Sequence, residues 1–268
     1  MFYGRTISQQ SAKRTKNHSM IHIKHVTKIF GTETALDQFS LHIQAGKLTV
    51  LIGPSGCGKS TLLKLLMGLD AADSGDIQWN SPMNAVSSQL ELRRKIGYVI
   101  QEGGLFPHLS AKKNVTLAAR FLGWDPEKIN SRIFELCDLV QLDVAFLEKY
   151  PVQLSGGQRQ RISLMRALML DPAILMLDEP LGALDPLVRA DLQKDLKEIF
   201  QRLKKTVILV THDMGEAAYF ADNIVLMRHG QIIQQGSVRE LIDRPADPFV
   251  SQFINAQRNP LSQFLEGR

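Results

Sequence analysis

The nine residues GPSGCGKST, Gly53 to Thr61, constrain this chain more than any other stretch. They lie between an apolar run, LTVLI, and a helix-forming one, LLKLLMGL. A strand, a glycine loop and a helix in that order make a phosphate cradle of the pattern G-x-x-x-x-G-K-[ST], here Gly53 to Ser60. Gly53, Gly56 and Gly58 let the backbone wrap closely and aim its N–H groups inward. Pro54, Ser55 and Cys57 fill variable positions, and Cys57 reads as a small tolerated residue rather than a reactive thiol. The helix starting near Lys59 adds its positive end. Lys59 is expected to neutralise the β- and γ-phosphates of a nucleotide, and the Ser60 hydroxyl to coordinate Mg²⁺, with Thr61 directly behind.

Two further apolar runs, AILMLDE and TVILVTHD, resemble KLTVLIG in ending on polar, chemically capable residues. Such runs suit strands buried on both faces of a parallel sheet, with function gathered at their carboxyl ends. Helices separate them. DPLVRADLQKDLKEIFQRLKK starts on Asp185 as N-cap with Pro186 at the first helical position, and Leu192, Leu196, Ile199 and Leu203 form its apolar stripe. DPEKINSRIFELCDLV repeats the pattern from Asp125, with Ile129, Ile133, Leu136 and Val140 on one face. Short alternating stretches from Ile21 to Ile43 predict a small antiparallel sheet. Residues from about 102 to 165 read mainly as helix and interrupt the strand–helix alternation. The expectation is an α/β fold with a helical subdomain inserted into it.

No apolar run approaches the roughly 18 residues that a membrane span needs. The formal charge of +5 is concentrated in residues 1–19, where Arg5, Lys13, Arg14 and Lys16 have no acidic neighbour. Without them the chain holds 28 basic and 27 acidic residues, so its body is nearly neutral. The leader is expected to be solvated and disordered, and Met20 is a candidate start. Two cysteines, Cys57 and Cys137, make no disulfide framework and fit a reducing cytoplasm.

Asp178 and Glu179 stand where the second run emerges. Asp178 can hold a metal through its water shell, since Mg²⁺ takes few carboxylates, and Glu179 can polarise a water as general base. Adjacent strand residues point to opposite faces, so presenting both requires the chain to turn there. His212, ending the third run, can bind a phosphate oxygen or hold that water, although a lone histidine is more often structural. Asp213 with Glu216 matches a capping box in either case. Gln101, after KIGYVI, offers a neutral amide to metal or water. Phe30 can stack on an adenine ring or simply close a sheet edge.

A second glycine pair stands in LSGGQ. Ser155 and Gln158 satisfy the capping-box pattern, so a plain helix start accounts for them. Gly156 and Gly157 remain, and glycine weakens a first helical turn unless something must come close. A helix N-terminus with a serine hydroxyl is also an anion site. If one chain's two sites cannot reach one nucleotide, two chains placed head to tail can.

The motifs together resemble the nucleotide-binding subunit of ATP-binding cassette (ABC) transporters over about residues 20–245. In order come Phe30 at the adenine-stacking position, the Walker A loop, Gln101 of the Q-loop and the LSGGQ signature. ILMLDE follows as Walker B strand and catalytic glutamate, then GALD as a D-loop ending in Asp185, and His212 as switch histidine. The resemblance implies a P-loop NTPase fold: a RecA-like parallel sheet core, an antiparallel β subdomain and an inserted α-helical subdomain. It implies ATP and Mg²⁺ as ligands, with Ser60, Gln101 and Asp178 around the metal and Glu179, His212 and Gln101 in catalysis. It also implies a head-to-tail dimer, or pseudo-dimer, of cassettes. Membrane permease partners on the cytoplasmic face of the cell membrane follow, served indirectly by a periplasmic or lipid-anchored substrate-binding protein.

Within the family, ELRRKIGYVIQEGGLFPHLSAKKNV is most similar to importer cassettes for osmoprotectants such as glycine betaine, choline or carnitine. Residues 246–268 are expected to form a short extension, holding neither the paired CBS domains of several such relatives nor a β-barrel regulatory domain. The competing reading is an importer ATPase for another solute, or a soluble ABC-type ATPase acting on nucleic acid or ribosomes. Against the soluble class stands an interval of about 95 residues between Walker A and signature without sustained heptads. No nucleic-acid partner is expected.

Overall fold

The computed structural model describes residues 19–80, 83–101, 103–182 and 184–257. The basic leader expected over residues 1–19 falls outside these, except for the backbone of Ser19. The elements run β1 (Ser19–Phe30), β2 (Glu33–Gln44), β3 (Leu48–Ile52), α1 (Lys59–Leu66), β4 (Ser74–Trp79), α2 (Gln89–Arg94) and β5 (Ile96–Val99). Then follow α3 (Ala111–Phe121), α4 (Pro126–Leu139), α5 (Gly156–Leu168), β6 (Ile174–Asp178), α6 (Pro186–Leu203) and β7 (Thr206–Thr211). The chain continues through α7 (Met214–Phe220), β8 (Asn223–Arg228), β9 (Gln231–Gly236), α8 (Val238–Asp243) and α9 (Pro248–Ala256). No described helix is long and apolar enough to cross a membrane.

Two sheets organise these elements. The larger has the order β5-β6-β7-β3-β8-β9, parallel except for the β8–β9 hairpin. The three apolar runs are its central strands β3, β6 and β7, and every one of their residues is buried. Alternation divides them between two cores. Val50, Ile52, Leu175, Leu177 and Leu209 face the core shared with α3 to α7, whereas Leu51, Met176, Ile208 and Val210 face the one shared with α1 and the smaller sheet. The smaller sheet is antiparallel, ordered β2-β1-β4. Its first two strands match the alternation between Ile21 and Ile43. β4 and the β8–β9 hairpin were not anticipated. β4 is polar and largely exposed, so it carries no apolar signature and is held by backbone pairing to β1.

Between β5 and β6 the chain is helical, with α3, α4, two 3₁₀ turns and α5. The predicted caps form: the Asp125 carboxylate accepts from Glu127 and Lys128 N–H, and Asp185 accepts from Val188 N–H. Ile129, Ile133, Leu136 and Val140 are buried, as are Leu192, Leu196 and Ile199, and Leu203 is half-buried. The capping box expected at α7 is only half made. Asp213 accepts from Glu216 N–H, but the Glu216 carboxylate turns inward to the Thr211 hydroxyl, which also receives the Asp213 N–H. Glu216 is thus a buried group, because the Thr211 hydroxyl donates to it while the Asp213 N–H is already taken by that same hydroxyl oxygen.

Candidate active site

Sheet order decides which residues meet. Strands β5, β6, β7 and β3 are consecutive and parallel, so the segments leaving their carboxyl ends line one edge. Those segments carry Gln101, Asp178 with Glu179, His212, and the glycine loop.

The loop is held tightly by its own chain. A Cβ on Gly53 would lie 2.2 Å from the Met227 carbonyl oxygen, and one on Gly58 (φ 102°) would lie 2.4 Å from that of Ala35. Neither position admits a side chain, so the backbone settles against β8 and β2 with its concave face outward. Lys59 opens α1 and is buried; its ammonium donates to the Gly53 and Pro54 carbonyls at 2.8 and 2.9 Å and lies 3.6 Å from Cys57 Sγ. No carboxylate lies within ion-pair distance of it among the described residues. A buried cation without a counter-ion is costly, and an anion reaching the loop would relieve that cost. Cys57 is buried, and burial pushes its thiol up.

Ser60 Oγ donates to Asp178 Oδ1 at 3.3 Å, and the Tyr98 hydroxyl donates to Asp178 Oδ2 at 3.3 Å. Burial raises the Asp178 pKa above the usual carboxylate range, the two hydroxyls pull it back, and the neighbouring Glu179 charge raises it. Burial and the Asp178 charge push Tyr98 up as well. A serine hydroxyl beside a carboxylate is a small, hard oxygen pair that suits Mg²⁺, which takes few protein ligands and completes its shell with water and phosphate. Among the described residues there is no group of three or more His, Cys, Asp or Glu that could hold a metal.

Glu179 leaves the strand differently from its neighbour. Its N–H still bonds the Val210 carbonyl at 2.9 Å, yet its φ is +46°. A non-glycine residue pays about 1–3 kcal/mol for such a conformation. The turn delivers both carboxylates to the same edge. Gln101 Nε2 donates to Glu179 Oε2 at 3.3 Å, and His212 Nδ1 lies 3.4 Å from Glu179 Oε1. Four residues from three segments of chain therefore converge on the mouth of the glycine loop.

The signature residues lie elsewhere. Ser155 and Gln158 complete the expected capping box, each accepting the other's backbone N–H. The glycine pair has an intrachain reason: a Cβ on Gly156 would meet Leu184 Cδ2 at 2.7 Å, and one on Gly157 would meet Val188 Cγ1 at 3.1 Å. So the close neighbour within this chain is the start of α6, capped by Asp185. Phe30 is exposed at the end of β1, with the Lys28 ammonium 5.1 Å from its ring centre. Among the described residues, neither Phe30 nor the Ser155–Gln158 turn makes a hydrogen bond or ion pair to the Glu179 cluster.

A family model described as ABC transporter matches residues 36–182, more than half of the chain. The chain belongs to the ABC transporter family. The cassette is 45% identical over 235 residues to a glycine betaine uptake system ATP-binding protein, YehX, of Escherichia coli, covering 88% of this chain and 76% of the relative. It is 42% identical to the glycine betaine/carnitine/choline transport ATP-binding protein OpuCA of Bacillus subtilis, covering 89% of this chain but only 63% of the relative. Among solved structures, the dimeric bacterial ABC transporter cassette MJ0796 superposes with a TM-score of 0.71 at 34% identity, over 82% of this chain and 99% of that one.

Sequence reasoning missed Tyr98 and Thr211 in this cassette and read Glu216 only as a capping residue. Tyr98 alternates with buried apolar neighbours in β5 and looked like strand filler; only the β5–β6 register brings its hydroxyl to Asp178. Thr211 and Glu216 were legible in VTHDMGE only as strand end and helix start.

Proposed function

We propose that the chain is the ATP-hydrolysing subunit of a bacterial ABC importer, and that it works as a head-to-tail dimer docked on membrane permease subunits. The observation that carries this reading is Glu179 held between Gln101 and His212 beside a loop whose buried lysine, among the described residues, has no carboxylate within ion-pair distance. Lys59 and the loop N–H groups bind the terminal phosphates, and Phe30 offers its exposed ring to the base. Ser60, Asp178 and Gln101 would hold Mg²⁺, which when bound would supply charge neutralisation on the phosphate oxygens. Glu179 accepts a proton from the attacking water, while His212 and Gln101 fix the orientation of its carboxylate. The Ser155–Gln158 helix tip serves the partner's nucleotide, with Asp185 at the adjoining turn. Closure follows from a ligand that both chains grip only when together.

The relatives' names support a quaternary-amine osmoprotectant such as glycine betaine as cargo, received from a periplasmic or lipid-anchored binding protein. The cassette itself would lie at the cytoplasmic face of the membrane. None of the residues in the site touches cargo, so the cargo assignment is tested separately from the ATPase. Size-exclusion chromatography of Glu179→Gln with ATP is the central test. The variant should bind ATP, turn over at least a hundredfold more slowly and elute as a dimer; a persistent monomer would count against the model. Copurified permease, and osmotic rescue by glycine betaine in cells with the gene but not without it, test partner and cargo.

A further inference from the structure

We propose that Gln257, at the end of the C-terminal helix α9, is a positioning residue for the His212 turn, so that docking of α9 sets the turnover rate. The inference rests on the reading of His212 given above and adds a residue 45 positions away from it in sequence. The turn from Thr211 to Glu216 presents the backbone donors of a helix start, and side chains take several of them. Thr211 Oγ1 takes the Asp213 N–H and the Asp213 carboxylate takes the Glu216 N–H. The Met214 N–H is taken by Gln257 Oε1 at 2.5 Å. Met214 is buried, so this N–H has little recourse to water and depends on that acceptor.

Gln257 itself is exposed, at the cap of a helix that is docked on the core. Asp247 caps α9 at Phe249 N–H, Pro248 opens it, and Val250 is fully buried. Phe249, Phe253 and Ile254 pack on the main core, and the Arg228 guanidinium lies 4.4 Å from the Phe249 ring centre. Each side of His212 is thereby fixed: by Thr211 and Glu216 from within, and by Gln257 from the C-terminal helix. The imidazole itself is exposed and lies 3.4 Å from the Glu179 carboxylate, so its aim depends on the backbone beneath it.

The test uses the full chain. Gln257→Met keeps length and loses the acceptor; Gln257→Glu keeps the acceptor. Steady-state ATP hydrolysis, ATP binding, melting temperature and the His212 ring signal in NMR are measured for both, with His212→Ala as reference. Gln257→Met should lower kcat about tenfold with KM within about twofold, and should move the His212 signal. Gln257→Glu should restore both. Wild-type kcat and an unmoved signal in Gln257→Met would overturn the proposal while leaving His212 in place. Equal losses in both variants, tracking a fall in melting temperature, would reduce Gln257 to a docking contact and also overturn it. Undiminished turnover by His212→Ala would remove the reading of the histidine, and the role of Gln257 with it.

Discussion

Replacing Thr211 by valine removes one hydroxyl and almost no volume, and the structure says what that costs. The hydroxyl donates to Glu216 Oε2 at 2.6 Å and accepts the Asp213 N–H at 3.1 Å, with both Thr211 and Glu216 buried. Losing the donor to a buried carboxylate costs about 2 kcal/mol, and orphaning the N–H about 1 kcal/mol. The two parts differ in pH dependence. Burial raises the Glu216 pKa in the fold, and the Thr211 hydroxyl opposes that rise. A raised folded pKa means that the group's contribution is full while it is protonated, below its unfolded pKa, and is lost as pH climbs through the folded value. Without the hydroxyl the folded pKa rises further, so the variant's deficit grows with pH. It should be about 1 kcal/mol near the ordinary carboxylate range and about 3 kcal/mol at pH 8, or roughly 6–12 °C in melting temperature for a chain of this size. Thermal melts of wild type, Thr211→Val and Thr211→Ser from pH 5 to 8 read this directly. Serine keeps both bonds and should show no such slope, and Thr211→Val/Glu216→Gln should lose it. A Thr211→Val deficit of the same size at pH 5 and pH 8 would refute the argument.

Lys59→Met should weaken ATP binding at least a hundredfold by equilibrium titration, yet leave the ligand-free melting temperature unchanged or raised, because it deletes a buried charge without a carboxylate partner. A large fall in that temperature would show that the ammonium supports the loop rather than a ligand. Gly97→Ala places a Cβ 2.5 Å from the Ala167 carbonyl oxygen and 2.9 Å from Pro172 Cγ, so β5 must shift away from α5. We expect a loss of about 2–3 kcal/mol in urea unfolding and a weaker Gln101 effect on turnover, since Gln101 follows that strand; a neutral substitution would contradict the packing.

Much of the core was legible because its strands announce themselves. LTVLI, ILMLD and TVILVT are continuous apolar runs, and only a sheet covered on both faces can use them. The caps at Asp125, Asp185 and Ser155 were legible for a similar reason: each is a local bargain between one side chain and the next few N–H groups. β4 was not, since its residues are polar and its place comes from backbone pairing with a strand some fifty residues away. Nor was the inward turn of Glu216, which chose the Thr211 hydroxyl over its expected partner.

The order of residues alone determined the phosphate loop, the lysine that serves it and the identity of each carboxylate, because these depend on spacing within a few residues. Tertiary structure decided how they are used. The β5-β6-β7-β3 order brings Gln101, Glu179 and His212 to one edge, the +46° φ of Glu179 turns it beside Asp178, and the C-terminal helix reaches back to the turn that carries His212. Those contacts span tens to over a hundred residues, and no local pattern encodes a distance that only strand order and packing create.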